Sequence, residues 1–138
     1  MKYKFLDHTA DIMFEAHGNS LNKLFENAAL AAEETMVNLK QIKPKIKKEI
    51  SLENENLEDL LFDFLSELIY LKDAELLLFS KIKVNIKNKE CYKLKAELLG
   101  EKLTSKHEQK ADIKAVTYHK FEIKKLKNKY IARVILDI

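Results

Sequence analysis

Asp7-His8-Thr9-Ala10-Asp11, near the start of the chain, and Asp137-Ile138, at its end, carry the residue types best suited to chemistry. The first stretch holds two carboxylates and an imidazole; the second adds a carboxylate side chain beside the terminal carboxylate. Such groups are costly to bury without a partner. Each sits next to apolar, strand-like sequence, Ile12-Met13-Phe14 in one case and Val134-Ile135-Leu136 in the other. If those two strands lie side by side, the acids converge into an oxygen-rich pocket that suits a divalent cation.

The remaining chemistry is sparse. Gly18 and Gly100 are the only glycines, too few for a phosphate-cradling glycine loop. No serine, cysteine or histidine arrangement spells out a nucleophile and its base. Cys91 is the single cysteine, which excludes an internal disulfide, fits a reducing compartment and reads as structural. The net charge of +3 comes almost wholly from lysine, with Arg133 the only arginine. Dedicated nucleic-acid binders cluster arginine and lysine between aromatic residues. Here Lys81, Lys83, Lys87, Lys93 and Lys95 read as a solvated strand face. His17 in a turn and His107 in a polar loop also read as surface residues.

At 138 residues, 46% hydrophobic and 34% charged, the chain has the make-up of one globular domain over 1–138. No apolar run approaches the roughly 18 residues of a membrane span, and Asp7 and His8 interrupt any signal-peptide core. No membrane association and a cytoplasmic location are therefore expected.

The elements that must position the two acidic stretches follow from periodicity. Lys2 to Leu6 and the stretch from Ile12 to Ala16 read as strands, followed by a turn at His17-Gly18-Asn19. Ser20 is placed to cap a helix whose apolar stripe runs from Leu21 to Met36, with Glu26, Glu33 and Glu34 facing water. Asn38 to Pro44 is a basic connector, and Ile46, Ile50 and Leu52 mark a third strand. Asn56, with Asp59 three residues on, caps a second helix carrying a broad stripe from Leu57 to Leu71. Its polar side gathers Glu58, Asp59, Asp63 and Glu67. From Ala74 the period becomes alternating, with a hairpin turn at Asn88-Lys89 and a strand break at Gly100-Glu101. Ile113 to Leu126 and Tyr130 to Asp137 close the chain as a pair joined at Asn128-Lys129. Within the former, Tyr118 and His119 alternate, so one should face the core and the other the surface. Two helices among about seven hairpin-linked strands predict an α+β fold, a mixed or antiparallel sheet with both helices packed on it.

Several strings recur together in one family. They are Asp7-His8-Thr9-Ala10-Asp11; Leu24-Phe25-Glu26-Asn27-Ala28-Ala29; Leu57-Glu58-Asp59-Leu60-Leu61 with Phe64-Leu65-Ser66-Glu67-Leu68; Gly100-Glu101; His107; Lys114-Ala115-Val116-Thr117-Tyr118-His119; and Leu136-Asp137-Ile138. Over essentially its full length the chain resembles archease. The resemblance implies an accessory protein, not itself an enzyme, that activates the RtcB-type RNA ligase. That ligase joins RNA ends carrying a 2′,3′-cyclic phosphate or 3′-phosphate to a 5′-hydroxyl, as in transfer-RNA splicing, using GTP and divalent metal. Archease-like proteins promote its guanylylation and repeated turnover, and RNA is met only through the ligase. The family's metal site, a calcium site, maps here onto Asp11, Asp137 and Ile138, the last through main-chain or terminal carboxylate oxygen.

Hard oxygen ligands suit calcium, magnesium or manganese. Asp7 and Asp11 would lie about 13 Å apart on an extended strand, so they share an ion only if the chain turns between them. Asp11 is therefore the expected ligand, with Asp7, His8 and His119 in supporting or partner-facing positions. Two other functions fit parts of the sequence. In a free-standing metal-dependent phosphoesterase, Asp11, His8 and Asp137 would hold a water-activating ion. An RNA-binding or chaperone-like adaptor would draw on the lysine content.

Overall fold

The structure, a computed structural model, describes residues 1–6 and 11–138. Its strands are β1 (Tyr3–Leu6), β2 (Ile12–Gly18), β3 (Ile46–Asn54), β4 (Leu77–Lys89), β5 (Cys91–Lys102), β6 (Ala115–Lys125) and β7 (Tyr130–Asp137). Its helices are α1 (Leu21–Met36) and α2 (Leu57–Glu75), with one 3-10 turn at Leu39–Gln41. The expected α+β fold is present, and its strands divide between two sheets. One sheet has four strands in the order β1-β2-β7-β6; the other has three in the order β3-β5-β4. Every strand pair is antiparallel.

Each helix packs against both sheets, α1 on β2 and β4, and α2 on β6 and β3. The helix starts follow the sequence signals. The Ser20 hydroxyl accepts from Lys23 N at 3.2 Å, and Asn56 Oδ1 accepts from Asp59 N at 2.9 Å. Ala28, Ala29, Ala31 and Ala32 are wholly buried, and their small side chains let α1 lie close to its neighbours. Leu24, Phe25, Leu60, Leu61, Phe64, Leu65 and Leu68 fill the layer between the sheets from both helices.

The glutamates expected to face water on α1 instead bind other elements. Strand β4 is an edge of the three-stranded sheet, so one row of its backbone N–H groups has no strand partner. Phe79 N donates to Glu33 Oε1 at 3.0 Å, Val84 N to Glu26 Oε2 at 2.9 Å and Ile86 N to Asn22 Oδ1 at 2.8 Å. Glu34 accepts from the Tyr3 hydroxyl at 2.9 Å. On the other helix, Glu58 Oε2 accepts from Ile123 N of β6, an edge of the four-stranded sheet, at 2.8 Å. Helix periodicity marks these residues as polar; only the sheet edge shows why they turn inward.

Three local expectations are corrected. Gly100 does not break a strand: β5 runs on to Lys102, and a Cβ at Gly100 would stand 1.8 Å from Leu78 O. Glycine is needed there for close approach, beside the register shift between Phe79 and Lys81. The β4–β5 turn pivots on Glu90, at φ 61°, with Lys89 already paired to Cys91. His107 is not a surface side chain. Only 6% exposed, its ring accepts from Thr104 N through Nδ1 at 2.9 Å and sets Nε2 3.5 Å from Glu101 Oε2.

Candidate functional site

The central pair of the four-stranded sheet, β2 and β7, runs in register from Gly18–Tyr130 at one end to Ile12–Leu136 at the other. Asp11 and Asp137 each stand one residue beyond that last pair, on neighbouring strands. Both are half-buried. On the other side of β7, Asp137 pairs with Ala115, and its carbonyl accepts from Lys114 N at 2.7 Å. The main chain is thus anchored immediately before Ile138, which is 39% exposed. Asp7 and His8 lie outside the described residues.

Among the described residues no three His, Cys, Asp or Glu side chains gather into a metal-holding group. Among the described residues, the donors at this end of the sheet are two aspartate carboxylates and the oxygens of Ile138. That set has the hard-oxygen character that calcium, magnesium and manganese accept, with water completing the shell. Among the described residues it holds none of the nitrogen and sulfur donors typical of a zinc site.

Next to these strand ends, β6 departs from regular pairing. Thr117 faces Ile135 and Glu122 faces Arg133, so residues 118–121 bulge across from Val134 alone. Lys120 takes a left-handed φ of 54° within the bulge. The expected alternation of Tyr118 and His119 between core and surface therefore fails: both are exposed. The Tyr118 ring lies flat on Phe62 of α2, with 3.9 Å between centroids and 3° between planes, and Phe121 meets both rings edge-on. Tyr118 remains 59% exposed. Partial desolvation and the nearby Asp59 and Asp63 carboxylates hold its hydroxyl proton above the ordinary tyrosine range. Periodicity could not show this platform, because a bulge resets the period.

The other sequence candidates carry no catalytic arrangement. His17 Nε2 lies 3.0 Å from Glu15 Oε1 within β2 itself. Desolvation and the Glu53 carboxylate push the Cys91 thiol up, away from the thiolate form a nucleophile needs.

The fold is that of a small α+β protein in which two aspartates stand at the ends of paired strands. The pattern of the Archease protein family (MTH1598/TM1083) matches residues 3–138, and the chain belongs to that family. Protein archease of Thermococcus kodakarensis is 43% identical over 140 residues, covering 99% of each chain. The Sulfurisphaera tokodaii protein of the same name is 40% identical, also over 99% of each. Among solved structures, protein 1598 of Methanobacterium thermoautotrophicum superposes with a TM-score of 0.90 at 38% identity, covering 99% of both chains. An archease from Thermotoga maritima, described as a possible chaperone, gives 0.65 at 27% identity over 98% of this chain and 96% of that one. None of these descriptions names a reaction. No helix among the described residues is long and apolar enough to cross a membrane.

Proposed function

We propose that this chain is a divalent-metal-binding accessory protein of an RtcB-type RNA ligase, promoting ligase guanylylation and repeated turnover by contact rather than by a reaction of its own. The observation that carries the reading is the β2–β7 register, which leaves Asp11 and Asp137 side by side at the strand ends, next to Ile138. Asp11, Asp137 and an Ile138 main-chain or terminal oxygen would hold the ion, calcium as the archease resemblance implies. When bound, the ion supplies a cationic centre able to meet carboxylate or phosphate oxygens of the ligase.

The chain's own residues do the remaining work. The Lys114–Asp137 hydrogen bond and the Ala115 pairing hold the Asp137 backbone in place, so its carboxylate is presented from a rigid strand. The Tyr118 platform, with His119 in the same bulge, stands about 10 Å along β6 and offers an exposed aromatic face to a docking partner. The Asp59 and Asp63 carboxylates beside that face favour a basic counterpart.

The test is ligase guanylylation by GTP, without RNA, in the presence of wild type, Asp11→Ala, Asp137→Ala and a form extended beyond Ile138. Wild type should accelerate the reaction and both alanine variants should not, while circular dichroism shows them folded. Loss on extension would assign a role to the free end at Ile138. Equal stimulation by all four would remove the strand ends from the function. A chaperone-like role, as described for the Thermotoga relative, would then be favoured, and light scattering of heated ligase would measure it.

A further inference from the structure

At the opposite end of the same sheet, a cleft of about 910 Å³ opens between β1, the β2–α1 turn, β4 and the β6–β7 turn. Lysines reach it from four separate parts of the chain: Lys2 and Lys4, Lys23, Lys81 and Lys129. Two of them are neutralised. Lys4 lies 3.6 Å from Glu15, and Lys23 lies 3.1 Å from Glu26, whose other oxygen is taken by Val84 N. Among the described residues no carboxylate lies within 4 Å of Lys2, Lys81 or Lys129. The turn that carries Lys129 also brings Lys127. No acidic residue occupies the first turn of α1, which starts at the cleft, whereas α2 carries Glu58 and Asp59 there.

We propose that this cleft binds the phosphate backbone of an RNA strand. Three ammonium groups with no carboxylate partner among the described residues, converging on one concavity, are arranged for an extended anion. Their like charges repel one another until phosphates replace the counterions. No Phe, Tyr or Trp lines the cleft, and its one imidazole, His17, is held against Glu15 at 3.0 Å, so recognition through phosphate is favoured over base stacking. Lysine ammoniums act on phosphate as point charges and carry no sequence information. Binding is therefore sequence-independent. The proposal goes beyond the ligase reading, in which RNA is met only through the ligase. The choice of RNA over another phosphate-bearing molecule rests on that reading, whereas the phosphate chemistry does not.

The experiment is fluorescence anisotropy of a labelled 20-nucleotide single-stranded RNA against the full chain, titrated with salt. A DNA strand of the same sequence and inorganic tripolyphosphate serve as competitors. Lys81→Glu/Lys129→Glu tests the cleft. Lys87→Glu/Lys93→Glu, a cross-strand pair on β4 and β5 away from the cleft, makes the same change in net charge elsewhere. Wild type should bind with a linear log–log salt dependence. The cleft variant should bind at least ten-fold more weakly, with a salt slope flatter by about 0.7 for each phosphate no longer neutralised. The control pair should change affinity less than three-fold, and the DNA strand should compete.

Equal weakening by both variants would show diffuse attraction to a basic protein and overturn the proposal. Absence of RNA binding at low salt would overturn it as well. Tripolyphosphate binding without RNA binding would leave a small-anion pocket in place of a strand site. No ligase is present in this assay and no RNA in the guanylylation assay, so failure of one reading is distinguishable from failure of the other.

Discussion

The two ends of the four-stranded sheet are built from the same strands and carry opposite charge. At one end β2 starts beside Asp11 and β7 finishes with Asp137; at the other β2 finishes at Gly18 and β7 starts one residue after Lys129. Along β2 the ends are roughly 20 Å apart, at about 3.3 Å per residue. That is beyond a Debye length at physiological salt, about 8 Å, so the two charge clusters are largely independent through solvent. If the acidic end takes a cation and the basic end an anion, a single antiparallel pair thus holds both without either neutralising the other. The difference lies in how the charges arrive. The acids come from adjacent strand termini, while the lysines come from a strand, a helix, a second sheet and a turn.

The largest expected effect falls at the acidic end. Asp137→Asn keeps the side-chain shape and removes the charge. It should weaken calcium binding, measured by calorimetry, by at least the roughly 10–100-fold that loss of even an outer partner costs a metal site. RNA affinity should move less than two-fold. Comparable changes in both readouts would break the independence of the two ends.

Next in size is Lys2→Glu at the basic end, beyond the lysines already tested. It should weaken RNA binding by several-fold and leave calcium binding within error in the same calorimetric titration. Lys2 reaches the cleft from the segment before β1 and Lys81 from β4, so its effect measures how much of the concavity the strand occupies.

The third test asks whether both ends depend on the core between them. Glu33 is wholly buried, accepts from Phe79 N through Oε1, and among the described residues has no hydrogen-bond partner for Oε2. Burial holds its carboxyl well above the ordinary range, against the smaller opposing pulls of the Phe79 N–H and Lys72. A carboxyl whose folded pKa exceeds its unfolded value favours folding most when protonated. Its contribution is complete below about pH 4.3 and is lost as pH rises toward the folded value. Glu33→Gln removes this dependence, so its urea-unfolding stability relative to wild type should increase from pH 5 to pH 8. Glu33→Ala removes the same titration but also leaves the buried Phe79 N–H without its acceptor, so it should be about 1–3 kcal/mol less stable than Glu33→Gln at either pH. A flat difference between Gln and wild type across that range would show Glu33 ionised throughout.

The smallest effect is expected at the platform. Tyr118→Ala removes a stacked and an edge-on ring interaction at an exposed position. It should cost about 0.5–1.5 kcal/mol in the same unfolding assay. A loss of ligase stimulation greater than this stability change accounts for, with calcium affinity intact, would assign the platform to docking.

What the sequence revealed depended on whether the signal was local. The helix caps at Ser20 and Asn56, the last strand from Tyr130 to Asp137, and the neighbouring strands behind Asp11 and Asp137 were all legible, since each rests on a short pattern or on paired apolar runs. The inward roles of Glu26 and Glu33 were not. A polar residue on a helix looks the same whether it faces water or an unpaired strand edge tens of residues away. The bulge at 118–121 was hidden for a related reason, because alternation assumes the regular pairing that a bulge suspends. The lysine cleft was the least legible. Lys81 alone resembles any solvated strand residue, and only the fold brings it to Lys2 and Lys129.

The row of hydrogen bonds from α1 to β4 has a consequence for life at high concentration. Exposed strand edges recruit other strands, and native proteins blunt them with charge, proline or a covering element. Here a helix covers the β4 edge of the three-stranded sheet, with Glu33, Glu26 and Asn22 holding three of the N–H groups an incoming chain would need there. Strand addition at this edge is therefore blocked by side chains rather than by strand length or twist. It should rise when α1 loosens, well before the sheet itself comes apart.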